Sequence, residues 1–190
     1  MLVNSSNTAV LASSDINLMD LAFVADEISG GKRNLIIHSR GGSAVTIVAA
    51  PRILLGRQVT TVGVGVVCSA ALNLFLCGVR RVATPDTIFM FHHTRYPFEE
   101  RWVTANEAQQ LARIASLVDM PDREARFHGI YCTLAMVDSW VARLIASRTA
   151  LDFSRVRQLM EGGDTTLSAK EALLYRFIDE IVPESSLIPN

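Results

Sequence analysis

A serine and a histidine in the sequence have the types and positions that nucleophilic catalysis needs. Ser69 lies where an apolar run that ends at Cys68 gives way to a small-residue segment that begins with Ala70. The first N–H groups of a helix are unpaired and carry partial positive charge, so the N–H of Ala70 could stabilise an oxyanion beside Ser69. His92 ends a second apolar run, IFMFH, and is a candidate general base. The two residues therefore indicate acyl-transfer chemistry, with Ser69 as the candidate nucleophile.

A glycine-rich turn supplies a third candidate component. The residues SRGG at 39–42 follow another apolar run, and the N–H of Gly42 could bind the same oxyanion. Each feature alone has an ordinary structural interpretation: a helix cap for Ser69, a turn for SRGG, and a structural side chain for His92. Because ligands bind beyond the carboxyl ends of parallel strands in an open α/β sheet, the shared location favours a common site.

The order of the predicted elements explains how these residues could meet. Apolar runs typical of buried strands alternate with helical segments in the first half, which predicts parallel strands joined by crossover helices. We expect strands at 7–13, 33–39, 58–67 and 88–93, with helices at 15–31, 43–56 and 69–78. The second half is mostly helical, at 104–118, 121–147, 152–160 and 168–177, before a closing strand at 178–182.

Several of these helices carry recognisable end signals. Asp15 and Asp152 are expected to cap the helices that follow them, and Ser168 with Glu171 has the spacing of a capping box. Pro121 suits the first turn of the longest helix, because its missing N–H would be unpaired there in any residue.

Length and composition restrict the class of protein. The chain has 190 residues, of which 49% are apolar and 19% charged, with a net charge of −1. These values favour a single globular domain, and they argue against nucleic acid or an acidic membrane surface as a partner. We predict neither a membrane-spanning helix nor a signal peptide, and no metal or other cofactor. The three cysteines lack the spacing of a zinc site, and reduced thiols predict a cytoplasmic protein.

Four motifs in a fixed order resemble the proteolytic subunit of the Clp protease, the ClpP family of serine peptidases. They are SRGG, VGVVCSAA, RRVATPDTIFMFHH and DTTLSAKEALLYRFIDEIV. The last motif is the most specific, and it keeps Leu167, Ser168, Ala169, Glu171, Ala172, Tyr175 and Asp179 in register with the family pattern. The resemblance covers roughly residues 8–93 and 164–182.

This resemblance implies a fold, an activity and a set of site residues. The fold would be a ClpP/crotonase-type spiral of parallel βαβ units, one domain over 1–190, with a head at 1–93 and 164–190 and a helical handle-like segment at about 103–160. The activity would be that of a serine endopeptidase with Ser69, His92 and Asp164 as the catalytic triad. The backbone N–H groups of Gly42 and Ala70 would form the oxyanion hole.

The resemblance also implies partners, although this sequence departs from the family pattern in regions that bind them. Family members act on peptides or unfolded proteins, assemble into homo-oligomeric rings and work with an AAA+ unfoldase. In the family, an axial loop and a first helix help to dock an unfoldase, and from this sequence we expect no counterpart of them. Arg40 replaces a proline, and TRYPFEERWV at 94–103 replaces a glycine-rich strand. This segment is a candidate lid, substrate-side strand or subunit contact.

Three further alternatives remain open from the sequence. His93 is a rival to His92 as the base, although the spacing from Pro85 favours His92. The chain could also be a catalytically inactive scaffold with the Clp fold, since its handle and the residue after Ser69 are altered. A crotonase-type acyl-CoA enzyme would use a similar fold and oxyanion hole without a triad.

Overall fold

Strands and helices alternate along the first half of the chain, as predicted. The computed structural model describes residues 5–187, apart from the side chains at positions 5, 44, 45 and 47. The strands are β1 Thr8–Ser13, β2 Asn34–Ser39, β3 Thr60–Cys68, β4 Arg80–Ala83, β5 Ile88–Phe91, β6 Tyr96–Phe98, β7 Arg101–Val103, β8 Thr165–Ser168 and β9 Glu180–Ile181. The helices are α1 Leu18–Ser29, α2 Ala44–Leu54, α3 Ala70–Leu76, α4 Ala105–Leu117, α5 Pro121–Arg148, α6 Phe153–Glu161 and α7 Ala169–Leu174. Short 3₁₀ turns lie at Ser5–Asn7 and Glu184–Ser186.

The main sheet is largely parallel and branches at β3. Strands β1, β2, β3, β4 and β9 lie side by side in that order, all parallel. The first half of β3 pairs with β4, and its second half pairs with β5. Gly65, with φ of +64°, lies between the two pairing segments, and a Cβ there would be 2.7 Å from the ring of His38. This left-handed residue is compatible with the bend at which β3 changes partner.

The branch brings the carboxyl ends of three strands to one place. Strands β2, β3 and β5 end at Ser39, Cys68 and Phe91, next to the three motifs that the sequence analysis selected. Strand β8 then pairs antiparallel with β5, with Thr165 opposite Phe91. This register places the chain at Asp164 beside the end of β5, although more than seventy residues separate them in sequence.

The core beneath this edge is tightly filled. All seven residues of α3 are buried, and the ring of Phe75 lies 5.1 Å from that of Phe89 on β5. Burial of such aromatic side chains is among the largest single contributions to folding. Helix α3 is therefore held against the sheet from its first turn, which fixes the position of Ser69 directly before it.

Helices α4, α5 and α6 lie in the region of about 103–160 for which a helical handle-like segment was predicted, and a hairpin of β6 and β7 precedes them. A second apolar cluster joins Phe98 and Val103 of the hairpin to one face of α4 and to the first half of α5. The second half of α5, including Val141 and Ile145, packs into the main core. At 28 residues, α5 is long and apolar enough to cross a membrane by length and composition alone. Its buried face is occupied by these two clusters, as in the core helix of a globular fold.

The helix ends confirm most of the predicted caps and correct one. Pro121 lies in the first turn of α5, Asp152 accepts a hydrogen bond from the N–H of Arg155, and Ser168 and Glu171 form a capping box. The prediction of Asp15 as the cap of α1 is wrong. Asn17 takes that role and accepts from the N–H groups of Met19 and Asp20, because the helix begins two residues later than a cap at Asp15 requires.

Candidate active site

Ser69 has a backbone conformation that L-residues rarely adopt. Its φ is +54° and its ψ is −122°, at the sharp turn between β3 and α3. Its side chain makes no capping hydrogen bond, so the interpretation as an ordinary helix cap is wrong. The turn is held by the N–H of Ser69, which donates to the carbonyl of Met90 at 2.8 Å. Such strain costs about 1 to 3 kcal/mol and is typical of a nucleophile displayed between a strand and a helix.

The neighbouring thiols do not compete with this hydroxyl. Cys68 and Cys77 are both buried. Burial raises the pKa of the Cys68 thiol, and it raises the pKa of Cys77 to about 12. Because the thiolate is the reactive form of cysteine, both residues stay protonated and unreactive near neutral pH.

The SRGG turn lies directly against Ser69. Gly41 has φ of +122°, and a Cβ there would be 2.7 Å from the Cβ of Ser69 and 3.2 Å from the nitrogen of Ala70. On the other side, a Cβ on Gly42 would be 2.0 Å from the carbonyl oxygen of Ile16. Only glycines fit between these two segments. Within the described chain, the N–H groups of Gly42 and Ala70 have no protein acceptor, as oxyanion donors require.

His92 follows β5, and one nitrogen of its ring contacts a backbone carbonyl. Its Nδ1 lies 2.5 Å from the carbonyl oxygen of His93. A carbonyl only accepts hydrogen bonds, so Nδ1 carries the proton and the neutral ring keeps a lone pair on Nε2. This is the form that a general base needs. Ser69, Gly42 and His92 line one cavity, although no hydrogen bond joins Ser69 to His92 among the described residues.

The antiparallel pairing of β5 and β8 places the backbone of Asp164 beside the end of β5. Its carboxylate, however, is bonded to Arg95 and not to His92. Oδ1 of Asp164 accepts from Nη2 of Arg95 at 2.6 Å. Both side chains are about half exposed, at 49% and 44% of their surface. The structure thus places the backbone of Asp164 near His92 while Arg95 holds the carboxyl group.

A second carboxylate, Asp138, was missed by the sequence analysis. It lies in the middle of α5 and is 1% exposed. Its Oδ2 is 2.7 Å from Nδ1 of His93, and its Oδ1 accepts from the N–H of Thr94 at 2.7 Å. The signal in the sequence was a single acid on the apolar face of a helix, between Val137 and Val141. His93, the rival base, therefore faces Asp138 and does not line the cavity.

The cavity beside Ser69 has a volume of about 650 Å³. Its polar side is formed by Ser69, His92 and the SRGG turn, and its apolar side by Phe91 and by residues of α5. Tyr96 and Trp102 of the hairpin form a further wall, which places the segment 94–103 beside the site. Among the described residues, no group of three or more His, Cys, Asp or Glu side chains is arranged to hold a metal ion.

Comparisons with known proteins concern the fold and the family of the chain. No curated protein matches the chain. A solved structure of a ClpP1 mutant from Listeria monocytogenes matches with a TM-score of 0.69 and 21% identity, over 94% of this chain and 92% of that one. At this identity the match shows the fold, which is that of ClpP. A model of the Clp protease family matches residues 5–120, more than half of the chain and including Ser69 and His92. The chain therefore belongs to the Clp protease family.

Proposed function

We propose that the protein is a serine endopeptidase that hydrolyses peptide bonds with Ser69 as nucleophile and His92 as general base. The observation that carries this proposal is the left-handed backbone of Ser69 at the junction of β3 and α3, beside a cavity that His92 also lines. A serine that merely capped a helix would have extended backbone angles and a bonded hydroxyl. The crotonase-type alternative would not need a serine held in this way.

The proposed reaction uses the groups already described. Nε2 of His92 accepts the proton of Ser69 as its oxygen attacks the peptide carbonyl carbon. The N–H groups of Gly42 and Ala70 bind the oxyanion of the tetrahedral intermediate. His92 then gives the proton to the leaving amine, and an acyl-enzyme remains. Water, deprotonated by His92, attacks the acyl carbon in the second half of the reaction and restores Ser69.

We further propose Asp164 as the third member of the triad. The pairing of Thr165 with Phe91 supports this role, because it keeps Asp164 next to the end of β5. To accept a hydrogen bond from Nδ1 of His92, the carboxylate has to leave Arg95, and Nδ1 of His92 has to leave the carbonyl of His93. Release of Asp164 from Arg95 has a low energetic cost, since ion pairs between half-exposed side chains contribute about 1 kcal/mol or less. The new bond to Asp164 would replace the one that Nδ1 makes to His93.

The proposed substrate is a peptide or an unfolded protein. Its scissile bond would lie over Ser69, with an apolar side chain against Leu134 and Val137 on the α5 side of the cavity. The hairpin of β6 and β7 would flank the bound peptide. An AAA+ unfoldase remains a possible partner for folded substrates, and the cytoplasm is the proposed location.

A fluorophosphonate probe tests the nucleophile directly. We expect the wild-type chain to be labelled once, at Ser69, and to cleave fluorogenic peptides that carry apolar residues. Ser69→Ala should abolish both signals while keeping the thermal transition of the wild type. Labelling that persists in Ser69→Ala would contradict the proposal.

The second candidate function is an inactive scaffold of the same fold. It is favoured by one observation, the Arg95–Asp164 ion pair that occupies the proposed triad carboxylate. A folded protein that resists the probe, even when Arg95→Ala frees Asp164, would support this candidate over the peptidase.

A further inference from the structure

Two hydrogen bonds meet on the single peptide group that joins His93 to Thr94. The carbonyl of this group accepts from Nδ1 of His92 at 2.5 Å. Its N–H donates to Oδ1 of Asp138 at 2.7 Å. One peptide group therefore connects the candidate base to a buried carboxylate that lies in a different element.

We propose that Asp138 is a positioning residue for His92 and acts on it through this peptide group. The proposal rests on the proposed hydrolase function and adds a second carboxylate to it. In this arrangement Asp138 does for His92 what the acid of a triad does by direct contact. It fixes the orientation of the ring and keeps the proton on Nδ1.

The physical basis is the polarisation of an amide that is bonded at both ends. A carboxylate that accepts from the N–H shifts electron density toward the carbonyl oxygen, which strengthens the bond that this oxygen accepts. Asp138 is 1% exposed, so water does not compete for its oxygens. A buried charge in a medium of low dielectric acts more strongly than the same charge in water. The carbonyl of His93 is therefore a better acceptor than a solvated peptide would be.

The peptide group also has a fixed orientation. The ring of His93 donates from Nδ1 to the other oxygen of Asp138, which locks the carboxylate in the plane it needs for Thr94. Rotation of the 93–94 peptide would break the bond to Asp138 and leave its carboxylate with an empty buried oxygen. His92 thus has its partner held in place by α5.

Asp164 provides the natural comparison. Its carboxylate is half exposed and bonded to Arg95, so it has no bond to His92 in this structure. The other charged side chains that line the cavity with His92 are Asp15, Arg40 and Arg95. None of them is bonded to the ring of His92 in the described chain. Among the described residues, Asp138 is the carboxylate linked to His92, through two hydrogen bonds on the same 93–94 peptide group.

Nitrogen NMR of histidine tests the inference independently of activity. In the full chain labelled with ¹⁵N-histidine, above the pH at which the ring is protonated, His92 of the wild type should carry its proton on Nδ1. Asp138→Asn keeps the side-chain shape but removes the charge, so the signal should shift toward a mixture with the Nε2–H form. Asp164→Asn is the matched control: in the free enzyme, where Asp164 is paired with Arg95 and has no bond to the ring, it should leave the tautomer of His92 unchanged. A wild-type ring protonated on Nε2, or an Asp138→Asn ring identical to the wild type, would overturn the inference.

A kinetic measurement adds a readout in the reaction itself. We expect the rate constant of fluorophosphonate labelling to fall about tenfold to a hundredfold in Asp138→Asn, as for other groups that orient a reactive side chain through one intermediate partner. KM for a peptide should change little, because Asp138 does not reach the cavity. A loss confined to KM would contradict a positioning role.

A second variant covers the case in which Asp138→Asn does not fold. Thr94→Pro removes the N–H of the connecting peptide and leaves Asp138 paired with His93, and it should cause the same tautomer shift. If it folds and leaves the tautomer of His92 unchanged, the inference is overturned. If the tautomer responds but no variant, including the wild type, is ever labelled by the probe, the connection stands and the hydrolase proposal fails.

Discussion

At the scale of single residues, the site depends on backbone angles as much as on side chains. Ser69 at φ of +54° and Gly41 at φ of +122° lie in contact, so each constrains the other. Ser69 and the SRGG turn could be selected from the sequence, because a serine or glycines directly after a predicted strand form a local pattern. The partners of Asp164 and His93 could not be predicted, because ion pairs such as that between Arg95 and Asp164 form across 69 positions of sequence.

Gly41→Ala should therefore inactivate the site. The added methyl would lie 2.7 Å from the Cβ of Ser69 at a backbone angle that alanine disfavours, so the turn has to move. A shift of about 1 Å at a reacting group can cost about a hundredfold in rate. The measurement is the rate of fluorophosphonate labelling beside a thermal melt.

Gly129→Ala is the matched control for this change. A Cβ at Gly129 meets nothing within 4 Å, and the residue lies inside α5, where alanine is the better helix former. We expect labelling at the wild-type rate and unchanged or slightly higher stability. Equal labelling of both alanine variants would show that the contact between Gly41 and Ser69 does not matter for the reaction.

At the scale of elements, helix caps could be predicted where the capping residues lie close together in sequence. The caps at Asp152 and Ser168 use residues three positions apart, and both were confirmed. The cap of α1 was misplaced because Ile16, which directly follows Asp15, was assigned to the helix. It instead bridges Gly42 in the neighbouring loop, a tertiary contact that no local pattern shows.

The start of α4 gives a prediction for pH dependence. Hydrogen bonds from the N–H and hydroxyl of Thr104 lower the pKa of Glu107 below its usual value. A carboxyl group whose pKa is lower in the folded chain stabilises it above the unfolded pKa, and that contribution is lost as the pH falls through the folded value. In urea unfolding, Glu107→Gln should reduce stability near pH 7 and have little effect near pH 3. An equal reduction at both values would contradict this role of the charge.

At the scale of the whole molecule, the parallel order of the sheet followed from the alternation of strands and helices. The branch at β3 did not, because a nine-residue apolar run gives no sign that its two halves pair with different neighbours. The handle segment was predicted as helical, but its separate apolar cluster depends on contacts between the hairpin and both helices.

The surface of the handle supports a prediction about assembly. Large apolar side chains are exposed at the turn between α4 and α5, among them Leu117 at 86% and Val118 at 56%. Clusters of exposed apolar side chains are typical of surfaces that bind another subunit. We expect light scattering to give a mass that is a multiple of 20.8 kDa, with a ring visible by electron microscopy. A monomer at micromolar concentration would contradict the ring assembly that the family resemblance implies.

Helix α5 connects the α4–α5 turn to the surroundings of His92. Its first half belongs to the handle cluster, its middle carries Asp138, and its last turns are anchored in the main core. A continuous helix transmits tilt and rotation along its length far better than a loop does. If Asp138 orients His92 as proposed, a partner bound at the α4–α5 turn that tilted α5 would also move the hydrogen-bond partner of the imidazole, without contact with the substrate.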